Sequence, residues 1–167
     1  MTLRIHLVNI DKLLLTEEYV SWLNDPNVTR FLEVRHQVHS LDTINQYYDK
    51  IRSNSSNIWK AIVATDDSRH IGNIKCSINR YGVGELSLFI GNKDYWGQGI
   101  GALVISLMVK TAYEEGAVKL IAYIYETNKP SIRAFCKCGF SLEAVLKNEV
   151  TDLDSRIDIL RVVHNCN

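Results

Sequence analysis

Three glycines fall within five residues at Gly97-Gln98-Gly99-Ile100-Gly101, directly before an apolar-striped segment. Glycine lets a backbone turn tightly and approach a ligand closely. The unpaired N–H groups at the start of the following helix, together with its dipole, make a site for an anion such as a phosphate or pyrophosphate. A Walker loop would need Gly-Lys-Ser/Thr after its second glycine, and that is missing here. A dinucleotide fingerprint would follow the first strand of a βαβ unit, with an acidic residue about 20 positions on. In this chain the glycines follow four strand-like runs, and Glu115 is still in the same helix. Taken alone, the glycines also fit a plain turn.

A second pattern begins at Asn128-Lys129-Pro130-Ser131 and runs through Phe135 to Gly139-Phe140. With the first, it makes the run from Glu85 to Phe140 resemble the acetyl-CoA-binding core of GNAT N-acetyltransferases. That family opens its long helix with Arg/Gln-x-x-Gly-x-Gly/Ala. Here Gly99 and Gly101 match, and Trp96 stands in the first position. The Asn128–Phe140 run is similar to the family's Asn-x-x-Ala/Ser-x-x-x-Tyr-x-x-x-Gly-Phe, with Phe135 in place of Tyr. The Tyr95-Trp96-Gly97 opening resembles a branch containing ribosomal-protein N-terminal acetyltransferases, some aminoglycoside acetyltransferases, and enzymes that acetylate nucleotide-linked amino sugars. The resemblance implies an α/β (α+β) acyl-CoA N-acyltransferase fold, a mostly antiparallel twisted sheet flanked by helices. It also implies acetyl-CoA as cosubstrate and no metal.

The same resemblance assigns roles. Pantetheine would lie in a V-shaped gap between strands at 85–90 and 118–125, pairing with open backbone groups as an added strand would. Leu88, Phe89 and Ile90 would supply those contacts, and Gln98, Gly99, Ile100, Gly101 and Ala102 would hold the pyrophosphate. The N–H of Phe89 or Ile90 would steady the developing oxyanion. Asn128 is a further coenzyme contact, although Asn before Lys-Pro also suits a turn.

The attacking amine must shed a proton, since amine pKa values run from about 7.7 to about 10.4. Glu85 is the candidate base, at a place where family members often carry a carboxylate that works through water. A solvated residue in a Gly-Glu turn is the alternative, and Asp94 is a weaker candidate. Phe135 cannot donate a proton. Ser131 is therefore the candidate acid as well as a coenzyme contact, unless its hydroxyl only serves the helix start.

In this fold the acceptor pocket is built by the N-terminal helices and their connecting loop. Trp22, Asn24, Arg35 and His36 are the expected substrate-binding residues, with Glu33 and His39 nearby. The Arg35 fork suits a phosphate or carboxylate, and His36 or His39 suits a base near neutral pH. A solvated loop is the plainer account of this cluster. The Trp22-Leu23-Asn24-Asp25-Pro26 run resembles enzymes that acetylate nucleotide-activated amino sugars, so such a sugar is the expected acceptor. A protein N-terminus, an aminoglycoside, and a non-catalytic acetyl-CoA sensor are the alternatives. A homodimer rests on resemblance only.

The elements that must position these residues follow from periodicity. A strand is expected over 3–8, a helix from Thr16 to Leu23, a short turn over 27–32, and a helix after Ser40. Strands follow over 58–64, 70–79 and 85–90, with turns at 66–68 and 81–84. The long helix after the glycines should bury Ile100, Val104, Leu107 or Met108, and Thr111, and end at Gly116. A strand over 118–125, a helix over 131–138, and strands over 141–148 and 157–163 complete one domain over residues 1–167.

Lys plus Arg equals Asp plus Glu at 19 each, which gives no electrostatic case for nucleic acid. No signal-like start or membrane-length apolar run is present, so the cytoplasm is the expected location. Cys76, Cys136, Cys138 and Cys166 lack metal-ligand spacing and read as reduced thiols.

Overall fold

The computed structural model describes residues 5–165, so the first residues of the expected opening strand and Cys166 lie outside the described residues. The elements in chain order are β1 (Ile5–Asn9), α1 (Glu17–Leu23), α2 (Pro26–Thr29), α3 (Leu41–Arg52), β2 (Asn57–Ala64), β3 (His70–Ile78) and β4 (Val83–Ile90). There follow α4 (Ile100–Glu114), β5 (Lys119–Tyr125), α5 (Lys129–Lys137), β6 (Ser141–Asp152) and β7 (Ser155–Asn165). The strands form one sheet in the order β1-β2-β3-β4-β5-β7-β6. Every neighbouring pair is antiparallel except β4 and β5, which run parallel.

Local chemistry sets the element ends. Thr16 Oγ1 accepts the Tyr19 N–H and starts α1. Ser40 and Thr43 cap α3 reciprocally. Gly116, with φ +93°, ends α4 while the Ala117 N–H donates to the Ala112 carbonyl. Pro130 sits in the first turn of α5, where its missing N–H costs nothing, so the helix starts two residues earlier than expected. The hairpin β6–β7 is longer than expected because a tight turn at Leu153-Asp154 joins it, with Leu153 at φ +54°.

Two apolar layers sandwich the sheet. The α4 side buries Ile100, Val104, Ile105, Met108 and Ala112 against Leu86, Leu120 and Ile124. The stripe thus runs to Ala112, leaving Leu107 and Thr111 half-buried. On the opposite face, α1 and α3 bury Tyr19, Trp22, Ile44 and Tyr48 with Trp59, and Phe89 packs there too. Among the described residues no helix is long and apolar enough to cross a membrane.

Candidate active site

The parallel pairing of β4 with β5 is short. It covers Val83–Glu85 against Lys119–Ile121 and then stops. Beyond it, Leu86–Ile90 and Ala122–Tyr125 diverge, leaving a V-shaped gap in the middle of the sheet. The pleat decides which backbone groups line this gap. Gly91 N–H donates to Ile71 O on the β3 side. By alternation, Leu88 and Ile90 turn their N–H and C=O groups toward the gap, while Phe89, opposite Asn73, turns its own toward β3. The expected coenzyme contact at Phe89 is therefore corrected: its backbone belongs to the β3–β4 ladder and its ring to the α1–α3 layer. Leu88 and the Ile90 N–H remain open to an extended amide chain, whereas the Ile90 carbonyl accepts from Trp96 Nε1.

The glycine loop closes the wide end of the gap. Gly97 and Gly99 have φ of +74° and +78°, and a Cβ added to either would meet nothing within 4 Å. Backbone conformation, rather than packing, demands glycine at both positions. Gly99 is the N-cap of α4 without a side-chain cap, and the first turn carries no acidic residue. The first-turn N–H groups of Ile100, Gly101 and Ala102 have no intrahelical acceptor. This open cradle fits a pyrophosphate. The Gln98 side chain is tied back beside the loop, Nε2 donating to Asp94 O at 2.6 Å. Asn128 Oδ1 accepts the Ser131 N–H at 3.2 Å and caps α5, so its acceptor atom serves the fold.

At the apex of the V stands Glu85. It pairs with Ser77 on one side and Ile121 on the other. It lies within β4 rather than in a Gly-Glu turn. Gly84 beside it is buried, and a Cβ there would approach Cys76 Sγ and Leu120 Cδ2 at 2.7 Å each. Glu85 is exposed and makes no ion pair among the described residues. Its charge is felt by Cys76, whose thiol is pushed up to about 12 chiefly by burial and then by Glu85. Phe135 is 2% exposed and packs edge-on against Phe140. No hydroxyl is offered from that position, whereas Ser131 is half-buried at the start of the same helix.

Comparison with known proteins agrees with this geometry. Residues 4–141 match the Acetyltransferase (GNAT) domain family. This chain belongs to the GNAT acetyltransferases. As a GNAT enzyme it uses acetyl-CoA as cosubstrate and transfers the acetyl group to an amine.

No curated protein matches it in sequence. Solved structures share its fold at low identity. Spermidine N-acetyltransferase from Vibrio cholerae, in complex with CoA and spermine, superposes with a TM-score of 0.86 at 17% identity, covering 96% of this chain and 95% of that one. A GNAT-family acetyltransferase from Streptococcus pneumoniae gives 0.81 at 17% identity, covering 98% and 100%. A domain from Methanocaldococcus jannaschii gives 0.77 at 22% identity, covering 98% and 99%.

The acceptor side of this GNAT domain differs from the sequence expectation. Trp22 is 7% exposed and packs against Tyr19, His70 and the backbone of Gly91, where a Cβ would collide with its ring. It is a core residue and has no free face for substrate. Asn24 donates to His39 O at 2.8 Å and accepts the His39 N–H at 2.9 Å, clamping the end of α1 to the start of α3. His39 is bound in turn to Val34 O. Arg35 spends its fork on the carbonyls of Arg30 and Thr151 and lies over the Tyr125 ring. His36 is exposed, 3.9 Å from Glu33. Residues 33–36 form a single 3-10 turn.

That turn is fixed to the gap by residues the sequence reading passed over. Tyr125, on the open edge of β5, donates its hydroxyl to Glu33 Oε1 at 2.7 Å and packs edge-on against Phe31. Burial first, then Glu33, pushes the Tyr125 phenol up to about 12. Two residues back, Tyr123 shares this face and is 43% exposed. The period-two spacing of Tyr123 and Tyr125 in a strand bordering the gap is the signal that could have flagged both. Among the described residues no cluster of His, Cys, Asp or Glu is placed to hold a metal.

Proposed function

We propose that this chain acetylates the primary amine of a small molecule, which enters on the α1–α3 face of the gap and reacts directly with acetyl-CoA in a ternary complex. The observation that carries this reading is Glu85: an exposed, unpaired carboxylate at the apex of the gap and on the acceptor face. In this reading Glu85 takes a proton from the amine through water, and the neutral amine attacks the acetyl carbon. The C–N bond forms, the C–S bond breaks, and the Ile90 N–H is the donor for the transient oxyanion. The thiolate leaves with little help, its thiol pKa being about 8.5. Ser131, the hydroxyl residue of α5, returns a proton to it. Leu88, Ile90, Gly99, Ile100, Gly101 and Ala102 bind the coenzyme.

Nucleotide-activated amino sugars belong to the proposed acceptor class. The support for them from Arg35 is reduced, because its fork is engaged by backbone carbonyls. A polyamine is the second reading. It is favoured by the carboxylates of Glu33 and Glu85 on the acceptor face, and by the spermine in the superposable Vibrio cholerae enzyme.

Thiol release from acetyl-CoA tests both. The acceptor panel holds a nucleotide-linked amino sugar, spermidine, an aminoglycoside and a peptide with a free N-terminus. Acceptor-dependent release with the sugar or spermidine supports the proposal. Release with the peptide alone replaces it with an N-terminal acetyltransferase. Tight acetyl-CoA binding without release from any acceptor favours the sensor reading.

A further inference from the structure

The β6–β7 hairpin tip reaches both sides of the site. Asp152, the last residue of β6, is 6% exposed. Its Oδ2 accepts from Arg30 Nη2 at 3.1 Å and from Thr127 Oγ1 at 3.2 Å. Arg30 leads into the 3-10 turn that walls the acceptor side. Thr127 precedes Asn128, the cap of α5, on the coenzyme side. A second tie runs parallel, from Arg35 Nη2 to Thr151 O at 2.8 Å. One buried oxygen thus holds a donor from each wall of the gap.

We propose that Asp152 is a positioning residue that couples the acceptor wall to the start of α5, which carries Ser131 beside the coenzyme thiol. The proposal rests on the reading of the gap as an acetyl-CoA site. The physical reason is the cost of a buried charge. A carboxylate taken out of water must keep its partners, and removing one leaves it uncompensated. If Arg30 leaves, Asp152 must rotate toward water or draw in another donor, and either move releases Thr127. If Thr127 leaves, Oδ2 is free to swing toward Arg30. The position of each wall therefore depends on the other. Coupling of this kind is reciprocal: whatever orders one wall favours the other. Acceptor binding, by fixing the turn that follows Arg30, would tighten the loop around Asn128, and bound coenzyme would preset the acceptor wall.

The test uses coenzyme A as probe, titrated calorimetrically into the full chain without acceptor. The variants are Arg30→Ala, Thr127→Val, the double variant, and Arg30→Lys; thermal unfolding checks that each is folded. Arg30 lies on the acceptor side, yet Arg30→Ala is expected to weaken coenzyme A binding at least about fivefold. Thr127→Val should do the same, and the double variant should be no worse than either single one, because both act through Asp152. Arg30→Lys, which keeps the charge, should recover most of the affinity. Unchanged binding in folded Arg30→Ala, or a double variant whose loss is the product of the two single losses, overturns the coupling. Failure of the unaltered protein to bind coenzyme A would instead overturn the reading of the gap beneath it.

Discussion

Trp96 Nε1 donates a hydrogen bond to the carbonyl oxygen of Ile90 at 2.8 Å. Ile90 ends β4 with its backbone turned to the gap, and Trp96 opens the glycine loop. The bond therefore pins the glycine loop to β4, the strand proposed to carry the pantetheine contacts. Trp96 replaces the Arg or Gln of the family pattern, and the indole N–H gives it a structural task there. Trp96→Phe keeps a ring and removes the donor. A lost hydrogen bond of about 1 kcal/mol predicts a KM for acetyl-CoA raised roughly fivefold. Steady-state kinetics should show kcat little changed, because the bond is present before and after the transition state.

Glu85→Gln keeps the size and hydrogen-bonding reach of the side chain while removing the base. General-base catalysis contributes typically about 10²–10⁴-fold, so kcat should fall by that order. Acetyl-CoA affinity, measured by titration without acceptor, should stay as it was. A kcat within twofold of the original would remove Glu85 from the mechanism and direct attention to Glu33 or His36 on the same face.

The fold was legible because local signals agreed. Ser40 marked the start of α3 and Gly116 the end of α4. The glycine turn before α4 was legible for a related reason, since positive φ at Gly97 and Gly99 leaves a trace in residue type. The acceptor wall was not. Trp22 and Arg35 look like substrate ligands in a sequence, and only the tertiary packing of α1 on β4, and of the 33–36 turn on the β6–β7 tip, shows that their groups are engaged. Phe89 was misassigned because a sequence does not reveal which side of the pleat its backbone faces. That depends on the β3–β4 register.

Gly99→Ala should separate conformation from contact. The left-handed region costs an L-residue roughly 1–2 kcal/mol, so thermal stability should drop by that order. The added methyl would also project into open space at the mouth of α4, where the anion is expected. Gly99→Asn tolerates the left-handed region better and should recover part of the stability. It should not recover acetyl-CoA affinity, since its side chain fills the same cradle. If Gly99→Asn binds acetyl-CoA as the original does, the glycine is there for its φ alone and the cradle reading fails at this position.

His70 predicts the mildly acidic limb of the stability profile. Its ring stacks on Tyr19 at 5.8 Å and meets Trp22 edge-on at 5.2 Å. Burial, the largest cause, holds its pKa below the ordinary value of 6.5. The unfolded chain therefore binds more protons at this site than the folded chain does once pH drops through about 6.5. Stability is full above that value and declines on acidification until the folded pKa is passed. The carboxylates held low by cationic partners, Asp25 by Lys93 and Asp152 by Arg30, act in a separate window, weakening the fold only as pH falls below the ordinary carboxylate value of 3.8. Urea unfolding at pH 7.5, 6.0 and 5.0 should thus show a stepwise loss of stability. In His70→Gln that loss should be largely absent between pH 7.5 and 5.0, whatever the absolute stability of the variant. A parallel decline in both proteins would assign the limb to another group.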